Sequence, residues 1–326
     1  MNQLFIICVF IIFCRVYAFS ISKRINRIHR IEMLMTPVGG SNVALITPMK
    51  LNGDIDFKTL ENLLEWHFEE GTEGIVLLGT TGEAQTINMA ERSDIIKKAV
   101  SVIGGKIPII VGTGAVNPLN VLQLTENAKQ CGADASLIVT PFYVKPPQRA
   151  LIKHYNTIAD KVDLPMILYN CPGRTGVDMD IDTISKLSRH QNIIGIKDAS
   201  GDLKRVSELR LHCEEYFLLY GGDDDIGCDF VMMGGDGVIS VTANVFPKLE
   251  SQMLKYAKLR YYENAKKINS ELMPLHKSLF LESNPIPVKR ALNMIGKIES
   301  GIRPPLTHLD AKHYIKLKSS ISQLLK

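Results

Sequence analysis

Eight short apolar runs, spaced along the chain, limit the possible folds more strongly than any other feature of the sequence. They are VALI (43–46), GIVLL (74–78), IPIIV (107–111), ASLIV (135–139), PMILY (165–169), IIGIK (193–197), FLLY (217–220) and GVISV (237–241). Their hydropathy is continuous rather than alternating, which is typical of strands buried on both faces in a parallel sheet covered by helices. The segments between them have helical apolar spacing, for example Leu60, Leu63 and Leu64 after the first run. We therefore expect strands and helices to alternate along the chain.

Eight strand–helix units over about 200 residues predict an α/β fold, a (β/α)8 TIM barrel over about residues 41–246. A doubly wound open sheet is the competing architecture. It would place a GxGxxG turn after the first strand, and ITPMKLNGD (46–54) contains none. Three further helical stretches follow over about residues 247–326, broken at NPIP (284–287) and RPP (303–305). We expect them to form a C-terminal helical appendage, so that residues 39–326 make one catalytic domain.

Residues 1–38 have the pattern of a targeting leader. Ten uninterrupted apolar residues, Leu4–Phe13, precede Val16-Tyr17-Ala18, where a signal peptidase would cut. The stretch that follows Ala18 is basic and contains no acidic residue before Glu32. This combination predicts a signal and transit-type leader to a secondary plastid, reached by the secretory route, with ordinary secretion or an N-terminal anchor as alternatives. After removal of the leader we expect no membrane attachment.

The positive net charge belongs to the leader rather than to the folded body. The 326-residue chain has a formal charge of +4, a value that prompts a search for an acidic partner such as nucleic acid. Residues 1–40 carry the whole excess, so basic and acidic residues balance over the remainder, and we expect no nucleic-acid partner. The cysteines form no CxxC pair and the histidines no HxH or HExxH pattern. We therefore expect reduced thiols and no metal site.

Lys197 closes the apolar run IIGIK at the strand end where barrels place their reactive groups. It could be structural, pairing with Asp198 or Glu83. Alternatively, it could be a desolvated amine of lowered pKa that attacks a carbonyl and forms a Schiff base. Tyr143 and Tyr169 follow neighbouring strands, where they could be core aromatics or could transfer protons beside such a lysine.

Two other strand ends carry groups suited to carboxylates. Thr80 and Thr81 offer hydroxyl and backbone N–H groups in a glycine-bounded turn, which could hold a small carboxylate or simply cap a helix. Arg174, in the rigid loop PGRTG, could bind a second carboxylate with its planar fork or be an ordinary surface arginine. The three aspartates at 223–225 would repel a phosphate, so we expect a ligand without one.

Taken in order, GTTGE, TPFY, LYNCPGRTG, GIKDASGD, GGDDD and GVISVTAN resemble the motifs of the dihydrodipicolinate synthase family. This family belongs to the pyruvate-dependent class I aldolase group, which also holds N-acetylneuraminate lyase, and the likeness extends from about Ser41 to the C-terminus. The resemblance implies that Lys197 forms the Schiff base with pyruvate. It further implies a proton relay of Tyr169, Thr80 and Tyr143, a pyruvate-carboxylate site at Thr81, a semialdehyde-carboxylate site at Arg174, and backbone groups supplied by Gly222 and Ile239.

The same resemblance implies condensation of pyruvate with L-aspartate 4-semialdehyde in lysine and diaminopimelate biosynthesis, without cofactor. It also implies a homodimer or homotetramer in which Tyr143 completes the neighbouring subunit's site. N-acetylneuraminate lyase and keto-deoxy-sugar aldolases are the alternatives within the group, and Arg174-Thr175-Gly176 speaks against them. A non-catalytic barrel is the alternative from another class, but it predicts loss of a reactive residue, and all are present.

One departure from the family concerns feedback inhibition by lysine. Phe142 stands where lysine-inhibited relatives carry a second tyrosine. The positions matching the inhibitor pocket of those relatives are Ala84, Gln85, Met89, Arg92, Val116 and Asn120. Because Met89 and Val116 cannot pair with charged groups and Arg92 would repel an amine, we expect weak or absent inhibition.

Overall fold

The computed structural model describes residues 39–325, and its eight strands close into a parallel barrel. The strands are β1 (Gly40–Ala44), β2 (Gly74–Leu77), β3 (Ile109–Gly112), β4 (Ala135–Val139), β5 (Met166–Asn170), β6 (Ile193–Asp198), β7 (Leu218–Gly221) and β8 (Gly237–Ser240). Each strand pairs with its neighbour in the chain, and β8 pairs with β1 to close the barrel. The predicted (β/α)8 architecture is confirmed.

Helices connect the strands and cover the outside of the barrel. They are α1 (Phe57–Glu69), α2 (Met89–Ile103), α3 (Pro118–Gln130), α4 (Gln148–Lys161), the single turn α5 (Pro172–Thr175), α6 (Ile181–Ser188), α7 (Lys204–His212) and α8 (Asp224–Met232). Local sequence explains several starting points. The Asn88 side chain accepts from the Glu91 N–H while Glu91 accepts from the Asn88 N–H, so α2 begins with a capping box.

The strands are buried on both faces, as their continuous hydropathy predicted. Inside the barrel, side chains from alternate positions pack together, and outside it the strands pack against the helices. The first strand lies earlier than VALI (43–46) indicated, because the ladder of β1 ends at Ala44. Beyond that point the N–H of Ile46 donates to the side-chain oxygen of Asn244 at 3.0 Å, a partner from nearly two hundred residues away.

The C-terminal segment contains four α-helices in the described residues, where the sequence indicated three helical stretches. They are α9 (Pro247–Lys258), α10 (Tyr262–Ser278), α11 (Ile286–Met294) and α12 (Tyr314–Ser322). The additional break lies after α9, where Arg260 has a φ of 64° and ends the helical path. Hydrophobic side chains of α10, α11 and α12 pack on the barrel around Ile46, Leu63 and Val241, as expected of an appendage. None of the helices within residues 39–325 has the length and apolar character needed to span a bilayer.

Candidate active site

A buried cavity of about 70 Å³ lies at the C-terminal ends of the strands, beside a wider cleft of about 250 Å³. Parallel strands in a barrel end on the same rim, which is why residues distant in sequence meet there. The cavity wall includes six of the eight predicted site residues, which are Thr80, Thr81, Tyr169, Arg174, Lys197 and Gly222. The prediction that these strand ends converge on one site therefore agrees with the fold.

Lys197 lies on β6, in register with Tyr169 of β5 and Tyr220 of β7. Its side chain is 5% exposed, and its Nζ lies 4.8 Å from the centre of the Tyr169 ring. Burial lowers the pKa of the Lys197 amine, and the positive charge of Arg174 acts in the same direction, although the thiol and carboxylates nearby oppose the shift. A lysine of lowered pKa is more often present as the nucleophilic free amine.

The two carboxylates that would make Lys197 a structural residue are engaged elsewhere. Asp198 pairs with Arg205 at 2.8 Å, and Glu83 pairs with Lys289 in a contact from which solvent is almost wholly excluded. The purely structural role that sequence left open for Lys197 therefore lacks its proposed partners.

Gly222 follows β7, and its lack of a side chain leaves room for the lysine. A Cβ at this position would lie 2.9 Å from Cε of Lys197 and 2.7 Å from Cβ of Ala199. Its N–H donates to the carbonyl of Asp198 at 2.8 Å, so the loops after β6 and β7 are joined next to the amine. Any larger residue would displace the Lys197 side chain.

The turn after β2 that carries Thr80 and Thr81 is held by Glu83 and by contacts from the C-terminal segment. Glu83 ends the turn with a φ of 55°, and its N–H donates to the carbonyl of Thr80 at 3.1 Å. Its carboxylate is held by Lys289 of α11 and by the N–H of Arg303 at 3.2 Å. Thr81 is 3% exposed, and its Oγ1 accepts from Nδ2 of Asn284 at 2.9 Å.

Arg174 stands in α5, the single helical turn after β5, and reaches both the cavity and the wider cleft. The carbonyl of Cys171 accepts from its backbone N–H at 3.1 Å, which fixes the turn. Its guanidinium donates to the main-chain carbonyl of Asn284 at 3.5 Å. A guanidinium that lines a cavity and is held by a carbonyl can still bind an external carboxylate with its remaining donors.

Tyr169 shares the cavity with two titratable groups, Cys171 and Asp223, that were not among the predicted site residues. Burial raises the pKa of the Tyr169 hydroxyl well above its usual value, and the hydrogen-bonded thiol of Cys171 raises it further. Burial also raises the pKa of Asp223 to about 6, against the opposing attraction of Lys197. A tyrosine of raised pKa stays protonated near neutral pH and can donate a proton.

The structure does not bring Tyr143 and Ile239 to the cavity wall. Tyr143 is 90% exposed, at a φ of 71°, in the loop after β4, and the adjacent Val144 is 57% exposed. Ile239 is fully buried in β8, among the side chains that fill the barrel interior.

The predicted site residues did not include three polar residues of the cavity wall, which are Cys171, Asp223 and Asn284. The first two lie within loops whose neighbours were identified, so their position was available as a signal. Asn284 comes from the C-terminal segment, and nothing local indicates that it reaches the barrel rim. Within residues 39–325 there is no group of three His, Cys, Asp or Glu side chains that could hold a metal ion.

Comparison with known proteins identifies the family. The profile of the dihydrodipicolinate synthetase family matches residues 37–324. The chain belongs to this family. Among curated members, the 4-hydroxy-tetrahydrodipicolinate synthase of Stutzerimonas stutzeri is 48% identical over 286 residues, covering 88% of this chain and 98% of the relative. That of Alcanivorax borkumensis is 46% identical, covering 88% and 97%.

Solved members of the dihydrodipicolinate synthetase family have the same fold. The chloride-inhibited dihydrodipicolinate synthase of Acinetobacter baumannii, complexed with pyruvate, has a TM-score of 0.86 and 47% identity, covering 88% of this chain and 99% of its own. The enzyme of Aquifex aeolicus has a TM-score of 0.86 and 40% identity, covering 88% and 98%.

These relatives correct the expected destination of the chain. The curated synthases at 46–48% identity come from bacteria, which contain no plastids, so the prediction of a secondary-plastid location is wrong. The predicted signal peptide and leader, residues 1–38, lie outside the described residues.

Proposed function

We propose that this chain is a 4-hydroxy-tetrahydrodipicolinate synthase, a lyase of the class I aldolase type that condenses pyruvate with L-aspartate 4-semialdehyde. One observation carries the proposal. The buried amine of Lys197 shares a small cavity with two separate carboxylate anchors, Thr81 and Arg174. The reaction joins two substrates that each bear a carboxylate, and the curated relatives carry the name of this activity.

The first half of the reaction uses Lys197. Its lowered pKa supplies free amine, which attacks the keto carbon of pyruvate and expels water to form an imine. The hydroxyl of Thr81 donates to the pyruvate carboxylate. Tyr169 and Thr80 line the same cavity and transfer the protons that water loss requires.

The second half forms the ring. The imine loses a methyl proton to become an enamine, whose carbon attacks the aldehyde of the semialdehyde held at Arg174. The substrate amine then attacks the imine carbon, and the amine of Lys197 leaves, so the enzyme is regenerated without an added redox or organic cofactor. Of the two residues expected to supply main-chain groups, Gly222 lines this cavity and Ile239 does not.

Tyr143 completes the relay from the neighbouring subunit, so the active unit is at least a homodimer, with a homotetramer as the larger assembly. Support comes from its loop, which presents an exposed tyrosine and valine at a strained backbone conformation, away from its own cavity. The barrel and the C-terminal helices act as one catalytic domain, because α11 and the segment before it supply contacts to the threonine turn.

Reduction with borohydride in the presence of pyruvate tests the proposal. The expected product is a covalent adduct on the peptide that carries Lys197, abolished in Lys197→Arg, together with turnover of pyruvate and L-aspartate 4-semialdehyde. An adduct on another lysine, or cleavage of N-acetylneuraminate in place of condensation, would contradict it.

A further inference from the structure

Asn284 occupies a special position in the site, because it touches both carboxylate anchors at once. Its Nδ2 donates to Thr81 Oγ1 at 2.9 Å, and its main-chain carbonyl accepts from Nη2 of Arg174 at 3.5 Å. The residue lies between α10 and α11, is 7% exposed, and lines the cavity that contains Lys197. One residue of the C-terminal segment thus joins the turn after β2 to the loop after β5.

The remaining polar atom of Asn284 has no protein partner. Its side-chain oxygen, Oδ1, is buried and accepts no hydrogen bond from any described residue. An unsatisfied buried acceptor is costly, and where one lines a binding cavity it fits a donor carried by the ligand. The amino-acid substrate of the proposed reaction carries such a donor, its α-ammonium group.

Geometry favours Asn284 over Asp223, the carboxylate that lines the same cavity. The ammonium and carboxylate of an α-amino acid are attached to the same carbon, so the acceptor for one must lie beside the anchor of the other. Asn284 contacts Arg174 directly. Asp223 interacts instead with Lys197 and with the adjacent aspartates, where the keto acid would bind.

We propose that Asn284 selects an α-amino acid as the aldehyde substrate, with Oδ1 accepting a hydrogen bond from the substrate ammonium while Arg174 holds the carboxylate. This inference rests on the proposed function. The same side chain also positions Thr81: because Nδ2 supplies the hydrogen to Oγ1, the Thr81 hydroxyl is free to donate its own hydrogen to the carboxylate of pyruvate.

The test compares the true substrate with 4-oxobutanoate, the semialdehyde that lacks the amino group. In Asn284→Leu, which removes both polar atoms at similar size, KM for L-aspartate 4-semialdehyde should rise roughly 10- to 100-fold, the value of a hydrogen bond to a charged group. The inhibition constant of 4-oxobutanoate should change less than about threefold, because its carboxylate still binds Arg174, whose carbonyl partner belongs to the main chain. An equal rise in both constants, or no rise in either, would overturn the inference.

Asn284→Asp keeps an acceptor and removes the donor. We expect KM for the semialdehyde to stay within about threefold of wild type and KM for pyruvate to rise about tenfold, since Thr81 then donates to the new carboxylate. A large loss of semialdehyde affinity with unchanged pyruvate affinity would instead place the amide nitrogen against the substrate and refute the assignment.

Asn293→Leu is the matched control. Asn293 lies on α11, and its amide is satisfied by Arg290 at 2.8 Å and by the carbonyl of Ile298 at 3.0 Å. Both KM values should be unchanged. Borohydride trapping of pyruvate on Lys197 verifies that each variant is folded. If the wild-type enzyme makes product but Asn284→Leu leaves both constants unchanged, this inference fails and the proposed function stands. If the wild-type enzyme makes no product, the proposed function itself fails.

Discussion

Replacing Lys289 by methionine should destabilise the protein strongly, because the substitution leaves a buried carboxylate without its counter-charge. The side chains of Lys289 and Glu83 are 4% and 0% exposed, and the pair joins α11 to the turn that carries Thr80 and Thr81. Removing one partner of such a pair costs about 3–5 kcal/mol. Glu83 keeps one hydrogen bond, from the N–H of Arg303 at 3.2 Å, so we expect the lower end, about 3 kcal/mol.

A loss of about 3 kcal/mol corresponds to a fall of roughly 6–12 °C in melting temperature for a domain of this size. Thermal unfolding followed by circular dichroism, at fixed protomer concentration, measures it. The double variant Glu83→Gln/Lys289→Met, which removes both charges, should recover much of the loss. Measuring Glu83→Gln alone completes the cycle that gives the coupling free energy. Lys186→Met is the control: its ion pair with Asp182 has side chains 53% and 72% exposed, and its loss should cost less than about 0.5 kcal/mol. Burial of the pair does not set its stability if Lys289→Met melts at the same temperature as Lys186→Met. The same holds if the double variant is no more stable than Lys289→Met alone.

Three further predictions concern catalysis and regulation. Tyr143→Phe should lower kcat at least 100-fold. Mixing it with Lys197→Arg should restore about a quarter of wild-type activity, because half of the random dimers are mixed and one of the two sites in each is complete. No recovery after subunit exchange would argue against a shared site. The rate of imine formation should rise with pH, with an apparent pKa below the usual 10.5 of lysine. Asp223→Asn should lower the apparent pKa of Lys197, because a carboxylate that stabilises its ammonium form is lost. Below about pH 6 the wild-type carboxyl is itself protonated, so the rates of imine formation of the two enzymes should converge. An increase of the apparent pKa in the variant would contradict this assignment of Asp223. L-lysine at micromolar concentration should leave turnover unchanged, since Arg92 is buried and donates to the carbonyls of Ala84 and Gly112, and clear inhibition in a steady-state assay would show the prediction to be wrong.

Local pattern predicted the strands and the rim residues for a definite physical reason. A strand buried on both faces must be continuously apolar, so a few consecutive residues are enough to predict each strand. Once the order of strands and helices indicates a parallel barrel, all strand ends meet on one rim. The positions of Lys197 at the end of a strand, and of Thr81 and Arg174 just after one, then place them at that rim.

Contacts between residues far apart in sequence could not be predicted in this way. The end of β1 is set by the side chain of Asn244, and the threonine turn is set by Lys289 and Asn284 of the C-terminal segment. The periodicity of apolar residues does not predict such pairings, because each depends on how the C-terminal helices pack on the barrel. The sequence by itself therefore predicted the barrel and the meeting of Lys197, Thr81 and Arg174 at one rim. Only the tertiary structure decided which buried partners orient those anchors, since a hydrogen bond across two hundred residues exists only after the chain has folded.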